Sequence, residues 1–392
     1  MKYIHRVLEI EKILKERSLF LFGPRQTGKS AFIKNELTKK ADLYYSLLDQ
    51  GLYLRLLSDP TFIRKEAAAK NLKKGFIIID EIQKNPSLLD EVHFMIEEYG
   101  FRFLLTGSSA RKLRSSGTNL LGGRARTRAF HPFVYPEIKD HPNFSLEHIF
   151  KTGLLPPHFL SSPHNNAVEE DLSAYVNSYL KEEIAAEGLA RNLSGFARFL
   201  EIAAISNSCI INYTNIANDA HVPRQTVKLW FDILYDTLLA FELPVFRKTI
   251  KRKSIETSKL YLFDIGVTKT LRKLPQVAVE SSDFGIFFEQ YIFMELRAYI
   301  DYKKPQAELF YWRSQTGYEV DFILDSKIAI EVKTTTQIQA KHLKGLKAMQ
   351  EEMLLERYIV ISRDESYQKE KGIERMPWKL FLEKLWAGEI IA

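Results

Sequence analysis

The chain has 392 residues, 45% of them hydrophobic and 27% charged, and its formal net charge at pH 7 is +7. These values exclude a globally disordered protein, and the length favours two or three domains over a single core. The single cysteine excludes an internal disulfide and a cysteine-based zinc cluster. We find neither a signal-peptide core nor a run of about 18 apolar residues, so we expect a cytoplasmic protein without a membrane partner.

The first third of the sequence alternates short apolar runs with helical stretches. This pattern is typical of a parallel sheet with crossover helices, and it predicts an α/β domain. The predicted strands are Ser18–Phe22, Leu43–Leu47, Phe76–Asp80, Phe101–Thr106 and Arg128–Phe133.

The stretch LFGPRQTGKS, between the first predicted strand and a predicted helix, fits the pattern G-x-x-x-x-G-K-[ST]. Its glycines let backbone N–H groups converge on phosphate oxygens, while Lys29 would reach the terminal phosphates and Ser30 would ligate Mg²⁺. The motif predicts ATP and Mg²⁺ as cofactors. The expected nucleotide-binding residues are Gly23, Pro24, Arg25, Gln26, Thr27, Gly28, Lys29, Ser30 and Ala31.

The stretch GFIIIDEIQK is an apolar run that ends in two acids. A buried strand would deliver Asp80 to the carboxyl edge of the sheet, where it can hold Mg²⁺ through water. Glu81 is placed to orient or deprotonate the attacking water. By itself the pattern would more often be a buried strand that is followed by an acidic loop. Beside the phosphate loop, it predicts ATP hydrolysis.

Hydroxyl groups and arginines follow the next predicted strand. In LLTGSSARKL, one of the hydroxyls of Thr106, Ser108 and Ser109 could sense the γ-phosphate, and a Ser-rich turn is the alternative. In LLGGRARTRAF, Arg124 comes after a glycine pair and could reach a neighbouring subunit's nucleotide as an arginine finger. A solvated basic loop is the alternative there.

Together, GPRQTGKS, DEIQK, LLTGSSA and GGRA resemble the AAA+ ATPases of bacteria and archaea that carry a C-terminal domain of unknown function. LYLFDIGV and PWKLFLEKLWAGEI extend this resemblance over most of the chain. The resemblance implies ATP hydrolysis and assembly with further copies of the chain. Residue by residue, it assigns Gly23, Gly28, Lys29 and Ser30 to Walker A, Asp80 and Glu81 to Walker B, Ser108 to sensor one and Arg124 to the arginine finger.

The middle of the sequence predicts a helical domain. Residues 141–168 are rich in Pro, His, Asn and Ser and are interpreted as a linker, and residues 169–275 are helical in period. A two-helix rhythm within them resembles a winged helix-turn-helix, with FRKTIKRKSIETSK as its basic wing. A lid or a protein-docking module is the alternative to DNA contact. The expected DNA-binding residues are Arg224, Gln225 and Lys228 on the second helix and Lys251, Arg252 and Lys253 in the wing.

The segment FYWRSQTGYEVDFILDSKIAIEVKTT predicts a two-strand hairpin that carries Asp321, Glu331 and Lys333. Two carboxylates can hold Mg²⁺ while the lysine stabilises charge on a phosphate. The spacing D-x9-E-x-K resembles the PD-(D/E)xK nucleases, with Val320 in place of the motif's proline. In that family a helical acid often precedes the hairpin, so the resemblance implies a metal site of Glu289, Asp321 and Glu331, with Asp321, Glu331 and Lys333 as catalytic residues. Charged edge-strand residues that maintain solubility are the alternative.

The sequence thus predicts four segments: a P-loop AAA+ ATPase domain (1–140), a linker (141–168), a winged-helix domain (169–275) and a restriction-endonuclease-like α/β domain (280–392). The leading hypothesis is an ATP-dependent, DNA-processing enzyme whose C-terminal domain cleaves DNA with a bound metal. The alternative hypothesis is a nucleotide-switched binding or signalling ATPase whose C-terminal domain only docks a partner.

Overall fold

A five-stranded sheet organises the first part of the chain in the computed structural model, which describes residues 3–111, 113, 121–162, 167–180, 192–279 and 281–391. All of its pairings are parallel, which confirms the predicted α/β class for this part of the chain. The strands are β1 (Ser18–Phe22), β2 (Leu43–Ser46), β3 (Phe76–Asp80), β4 (Arg102–Gly107) and β5 (Ala125–Ala129), in the order β2-β3-β4-β1-β5.

The chain divides into two compact units. The first comprises Met1–Phe133 with Asp236–Leu239, and the second comprises Val134–Tyr235 with Ala240–Ala392. The expected middle and C-terminal domains thus lie in one unit. Residues 163–166 and 181–191, which belong to the expected linker and middle domain, lie outside the described residues. The domain boundaries derived from the sequence stay predictions.

Helices and short turns surround the sheet of the first unit, and its core is built from the apolar strand runs. Ile77, Ile79 and Leu105 are fully buried, because a strand at the centre of a parallel sheet is covered on both faces. The helices are α1 (Glu11–Glu16), α2 (Lys29–Phe32), α3 (Gln50–Ser58), α4 (Phe62–Ala69) and α5 (Leu88–Tyr99), with a π turn at Ile33–Leu37 and 3₁₀ turns at Thr38–Lys40, Ile82–Lys84 and Leu121–Gly123.

The fifth strand begins and ends earlier than the predicted Arg128–Phe133. It covers Ala125–Ala129 and pairs with β1 at the edge of the sheet. Its Arg126 is exposed, because an edge strand faces solvent and charged side chains there oppose pairing with other chains. The apolar residues that suggested a later strand pack into the core after the strand has ended.

The second unit contains the remaining helices and strands. The helices are α6 (Tyr135–Ile138), α7 (Leu146–Thr152), α8 (Pro156–Phe159), α9 (Ala167–Ala174), α10 (Leu193–Ile205), α11 (Tyr213–Ala220), α12 (Arg224–Asp236, whose last residue groups with the first unit), α13 (Ile265–Leu271), α14 (Ser282–Lys303), α15 (Lys344–Gln350) and α16 (Trp378–Trp386). A π turn covers Tyr175–Leu180 and a 3₁₀ turn covers Ala340–Leu343. The strands are β6 (Ala240–Leu243), β7 (Lys259–Leu262), β8 (Leu309–Arg313), β9 (Glu319–Leu324), β10 (Ile328–Val332), β11 (Arg357–Ser362), β12 (Gln368–Glu370) and β13 (Ile373–Pro377).

Six of these strands form a mixed sheet in the order β12-β13-β11-β10-β9-β8. The predicted hairpin is β9 and β10, which pair antiparallel, and β10 continues into parallel pairing with β11. Val320, Ile323 and Ala329 of the hairpin lie in the core together with Leu346 and Met349 of α15. The strands β6 and β7 form a separate antiparallel pair.

Residues 141–162, expected to begin a linker, form part of the folded second unit. Ser145 caps α7 by accepting a hydrogen bond from the His148 N–H, and Pro156 begins α8. Ile149 and Phe159 are fully buried. The Pro- and Ser-rich composition that suggested a linker reflects helix starts, because these residues are favoured at helix N-termini as well as in loops.

In the middle of the chain, helix α10 is followed by an extended segment (residues 208–211), the helices α11 and α12, and the strands β6 and β7. Residues 208–211 pair with β7 through the Ile210 and Lys259 bridge and the Leu260 N–H to Cys209 carbonyl hydrogen bond of 3.0 Å. The helices α10, α11 and α12 pack around Trp230 and Phe231, which are both buried. This arrangement leaves one face of α12 exposed.

A buried carboxylate joins three helices of the second unit. Glu295 of α14 is 1% exposed, and its two oxygens accept 2.8 Å hydrogen bonds from the Tyr135 backbone N–H and the Trp386 indole Nε1. Burial raises the pKa of Glu295 to about 8, although these hydrogen bonds oppose the rise. The folded unit therefore holds this group protonated at neutral pH.

We predict that Glu295→Gln makes the stability of the second unit less dependent on pH. Between about pH 4.5 and 8 the folded wild type binds one more proton at Glu295 than the unfolded chain, so its free energy of unfolding falls as pH rises. The variant should lose about 1.4 kcal/mol per pH unit of this slope. Urea unfolding followed by tryptophan fluorescence reports on this unit, because Trp230, Trp312, Trp378 and Trp386 all lie in it. Equal slopes in the two proteins would contradict the prediction.

Candidate functional site

The phosphate-loop residues fill the turn between β1 and α2. Gly28 at φ 92° and Gln26 at φ 63° adopt left-handed backbone conformations, which curl the loop back on itself. A Cβ atom at Gly23 would lie 2.3 Å from the Phe130 carbonyl oxygen, so only glycine fits there. The expected residues Gly23, Pro24, Arg25, Gln26, Thr27, Gly28, Lys29, Ser30 and Ala31 thus form one continuous loop and the first turn of α2.

The side chain of Lys29 folds over this loop. It is 6% exposed, and its Nζ donates to the carbonyl oxygens of Gly23 at 2.5 Å and Pro24 at 2.9 Å. An ammonium group has three N–H donors, and two of them make these bonds, which fix the position of the side chain. The cation is in this way held at the phosphate loop.

Asp80 ends β3 beside the start of α2. Its Oδ2 accepts a 3.3 Å hydrogen bond from Ser30 Oγ, and its Oδ1 accepts one from Thr106 Oγ1 on β4. A hydroxyl and a carboxylate oxygen side by side are the hard ligands that Mg²⁺ prefers. The residues at this edge of the sheet therefore fit a magnesium site.

Glu81 follows Asp80 in a left-handed conformation at φ 62°, which is uncommon for a residue with a side chain. Gln83 Nε2 donates to Glu81 Oε2 at 2.5 Å and to Ser108 Oγ at 3.2 Å. Burial raises the pKa of Glu81, while Lys29 opposes the rise. The side-chain amide of Gln83 therefore joins Glu81, which follows β3, to Ser108, which follows β4.

Sequence reasoning missed Gln83, although DEIQK contains it. A Cβ atom at Gly107 would lie 2.1 Å from Gln83 Oε1, so the glycine after LLT makes room for the amide. The contact joins residues about two dozen positions apart, and no local pattern indicates it. Gln83 is thus a further candidate for positioning Glu81.

Arg6 was also missed. Its guanidinium donates to the Thr27 carbonyl at 2.7 Å and to the His131 and Pro132 carbonyls at 2.7 and 3.0 Å. It also lies 4.2 Å from the Phe130 ring centroid. This buried arginine therefore ties the phosphate loop to the chain that leaves β5.

Arg124 lies at the opposite end of the same sheet. It precedes β5, whose first residue pairs with Ser18 at the start of β1, whereas the phosphate loop follows the end of β1. Its Nε forms an ion pair with Glu97. Within one chain, the structure therefore does not bring Arg124 to the phosphate loop.

The expected DNA-binding residues fall into two groups. Arg224, Gln225 and Lys228 are exposed on α12. Arg224 and Lys228 also line an open cleft of about 660 Å³ together with Tyr213. These side chains are accessible to a partner.

Two of the three wing residues have internal partners. Lys251 Nζ donates to the Glu351 carbonyl at 2.6 Å, and the Arg252 guanidinium pairs with the carboxylates of Glu351 and Glu352. Lys253 is exposed. Arg252 is therefore not a free cation, because the carboxylates that follow α15 pair with it, whereas the Lys251 ammonium donates to a backbone carbonyl and remains exposed.

The expected nuclease residues come together at one place in the second unit. Lys333 Nζ lies 2.5 Å from Glu331 Oε1 and 3.6 Å from Asp321 Oδ2, and Asp321 Oδ2 also accepts a 2.7 Å hydrogen bond from the Val332 N–H. Glu289 of α14 lies on the other side of Asp321, where it accepts a 2.6 Å hydrogen bond from the Tyr261 hydroxyl. The helix and the hairpin therefore supply the residues that the motif requires.

A second lysine stands among these carboxylates. Lys259 Nζ lies 2.6 Å from Glu319 Oε1, 3.2 Å from Glu289 Oε1 and 3.9 Å from Asp321 Oδ1. Burial by itself would lower the pKa of Lys259, but the surrounding carboxylates raise it well above its usual value. Sequence reasoning missed Lys259 because it lies about 60 residues before the hairpin.

Burial and the neighbouring Asp321 raise the pKa of Glu331 to about 8. Within the described residues, no group of three or more Asp, Glu, His or Cys side chains is arranged to hold a metal ion. Lys259 contacts Glu289 and Asp321, and Lys333 contacts Asp321 and Glu331, so ammonium groups already pair with all three carboxylates of the expected metal site, which stays a prediction. In the described part of the chain, no helix is both long and apolar enough to cross a membrane.

Three family models match successive parts of the chain. Residues 15–139 match an AAA domain, residues 143–278 match a domain of unknown function (DUF8612) and residues 284–381 match another (DUF4143). Uncharacterised proteins of Mycobacterium tuberculosis and Mycobacterium bovis are each 23% identical over 326 residues, which cover 81% of this chain and 70% of each relative. An uncharacterised protein of Methanocaldococcus jannaschii is 26% identical over 365 residues, which cover 84% of this chain and 77% of that protein.

Among solved structures, the Aeropyrum pernix ORC1 protein in complex with DNA is 13% identical, with 69% of this chain and 94% of that chain covered. The TM-score of 0.27 carries no inference about a shared fold or function. The AAA match coincides with the parallel sheet and the phosphate loop. The chain therefore carries an AAA+ ATPase domain, which implies nucleotide binding and usually the use of Mg²⁺.

Proposed function

We propose that the first unit binds ATP with Mg²⁺ and hydrolyses it at the edge formed by the phosphate loop, Asp80 and Glu81. The observation that carries this proposal is the hydrogen bond between Ser30 Oγ and Asp80 Oδ2, with Glu81 as the next residue. It joins the phosphate loop to the acids of β3. Phosphoryl transfer needs this combination of a phosphate cradle, metal ligands and a residue that positions water.

Lys29 binds the terminal phosphates in this proposal. Its Nζ bonds to Gly23 and Pro24 lie at the rim of the loop, and phosphate oxygens compete for the same donors. Ser30 and Asp80 would hold Mg²⁺, which neutralises charge on the phosphates when it is bound. Thr106 fixes the Asp80 carboxylate through its hydroxyl hydrogen bond.

Glu81 orients the attacking water and accepts its proton. The raised pKa of Glu81, which burial causes, makes this carboxylate a stronger base than an exposed one. Gln83 holds one Glu81 oxygen and contacts Ser108. A change at the γ-phosphate that moves Ser108 would therefore reach Glu81 through the Gln83 amide.

Arg124 acts from a second copy of the chain if it acts as an arginine finger. Its position at the amino end of β5 excludes contact with the phosphate loop of its own chain. A finger role for Arg124 therefore requires the proposed homo-oligomer. The exposed pair with Glu97 would then open when a neighbouring copy binds.

DNA is the proposed partner of the middle part of the chain. The helix and strand order around β6 and β7 fits a winged helix, and α12 presents Arg224, Gln225 and Lys228 to solvent. Arg252 of the wing is paired with Glu351 and Glu352, so the proposed surface is centred on α12. The rival is a nucleotide-switched ATPase whose exposed α12 face docks a protein. DNA cleavage is left out of this proposal, because Lys259 pairs with Glu289 and Asp321 of the expected metal site.

We predict that Lys29→Ala abolishes ATP binding and that Glu81→Gln retains binding but lowers turnover by about 100-fold or more. The first change removes a phosphate contact, whereas the second removes only the proton acceptor. Nucleotide affinity and phosphate release should be measured for both variants. Lys34→Ala, an exposed lysine just after α2, is the control and should match the wild type. Undiminished turnover of the Glu81 variant would exclude its catalytic role.

We also predict that Arg6→Ala lowers ATP affinity several-fold, since the Thr27 carbonyl loses the donor that holds the loop. Arg6→Lys keeps the charge but cannot reach three carbonyls, so it should give an intermediate affinity. Both variants are compared with the wild type by nucleotide titration and by the melting temperature without nucleotide. A lower melting temperature with unchanged ATP affinity would limit Arg6 to a structural role.

For the DNA proposal, we predict that Arg224→Ala combined with Lys228→Ala weakens DNA binding. The slope of log affinity against log salt concentration should fall by the amount expected for the loss of about two phosphate contacts. Lys73→Ala with Lys74→Ala removes the same charge from an exposed loop of the first unit and is the matched control. Affinity for duplex DNA is measured over a range of salt concentrations. Equal losses in both double variants, or no DNA binding by the wild type at low salt, would favour the protein-docking rival.

A further inference from the structure

The acidic centre of the second unit contains a buried cation supplied by the chain itself. Lys259 is 3% exposed, and its ammonium faces carboxylates from two elements, Glu289 on α14 and both Glu319 and Asp321 on β9. Successive side chains of a strand alternate between its faces, so Glu319 and Asp321 point the same way. The three carboxylates thus converge on one point, and the Lys259 ammonium lies there.

Strand β7 supplies two donors to the same acid. Lys259 Nζ lies 3.2 Å from Glu289 Oε1, and the hydroxyl of Tyr261, two residues further along the strand, donates to the same oxygen at 2.6 Å. Both side chains are buried. One face of β7 therefore supplies both a cation and a hydroxyl donor to the Glu289 carboxylate, which needs no further cation.

The second lysine pairs with two of the carboxylates, while the Glu331 Oε2 atom is buried without a hydrogen-bond partner. Lys333 lies between Asp321 and Glu331, and Arg313 pairs with the Glu319 oxygen that Lys259 does not contact. Four carboxylates thus face three cations. Each of the four carboxylates therefore has at least one cation of the same chain beside it.

A divalent cation would need oxygen ligands at about 2.0 to 2.6 Å. An ion that reached Glu289, Glu319 and Asp321 at such distances would fall on the Lys259 ammonium. A metal ion and an ammonium group cannot occupy the same point, and two cations so close together in a buried site also repel each other.

We propose that Lys259 is the resident cation of this centre and that its ammonium occupies the place of a divalent metal. Its ion pairs join β7 to α14 and β9. The centre accordingly binds neither Mg²⁺ nor Mn²⁺. Its role is to fix the β6–β7 pair on the C-terminal fold. This proposal is independent of the ATPase proposal, since all of its residues lie in the second unit.

The test measures Mn²⁺ binding to the full chain without nucleotide, by electron paramagnetic resonance of the free ion. Asp321→Asn removes one carboxylate charge and should leave wild-type Mn²⁺ binding unchanged. Lys259→Met keeps the length of the side chain but removes its charge, and should gain one Mn²⁺ site that is about tenfold or more tighter than any in the wild type. Adding Asp321→Asn to Lys259→Met should remove that site. Lys259→Arg keeps the charge and should gain none.

Melting temperatures give a second readout. Lys259→Met should melt below the wild type in EDTA and recover on addition of Mn²⁺, because the metal replaces the lost ammonium. A wild-type Mn²⁺ site that Asp321→Asn abolishes would overturn the proposal. So would a folded Lys259→Met variant without a new Mn²⁺ site. If Lys259→Met does not fold, the comparison of wild type with Asp321→Asn still decides, since it needs only these two proteins.

Discussion

The nucleotide site depends on the buried carboxylate of Asp80. At 1% exposure this group has lost nearly all contact with water, so its oxygens must be hydrogen bonded within the protein. The hydroxyls of Ser30 and Thr106 supply those bonds and thereby fix α2 and β4 against the end of β3. The phosphate loop and the expected sensor strand are therefore positioned by one carboxylate.

The same requirement shapes the second unit. The carboxylates of Asp321 and Glu331 are buried and that of Glu289 is half-buried, and Lys259 and Lys333 supply the cations that pair with them. A buried ion pair of this kind contributes little net stability, but removing one partner is costly because the other remains unpaired. Such a cluster fixes which strands and helices can pack together. The residue types of a nuclease motif therefore also suit a purely structural role.

These observations change the balance between the two functional hypotheses. The ATPase edge contains the parts that phosphoryl transfer needs, and the AAA match agrees with it. The acidic centre of the second unit holds its own cations, and Arg252 of the basic loop is paired with acids of the same unit. Both features favour an ATPase whose second unit binds a partner over one that cuts DNA. The exposed basic face of α12 remains the surface on which that partner is expected.

The sequence by itself determined the parallel sheet, the phosphate loop, Asp80 and Glu81, and the hairpin of β9 and β10, because each depends on residues that are adjacent in the chain. A buried strand followed by a glycine-rich turn is recognisable without knowledge of what packs on it. The fifth strand was misplaced because an edge strand lacks the apolar run on which the prediction depended. Residues 141–162, which were expected to begin a linker, are folded. The prediction failed there because helix caps and loops share their composition.

Only the tertiary structure decided the partners of the buried charges. Arg6 meets the phosphate loop across more than 20 residues, Gln83 meets Ser108 across 25, and Lys259 meets Glu319 across about 60. A local motif gives the type and spacing of charged groups, but the electrostatic state of a buried group depends on every charge that folding brings within a few ångströms of it. For this reason the sequence could place Asp321 and Glu331 on a hairpin, whereas the lysine that stands beside Asp321 became visible only when β7 was seen packed against α14.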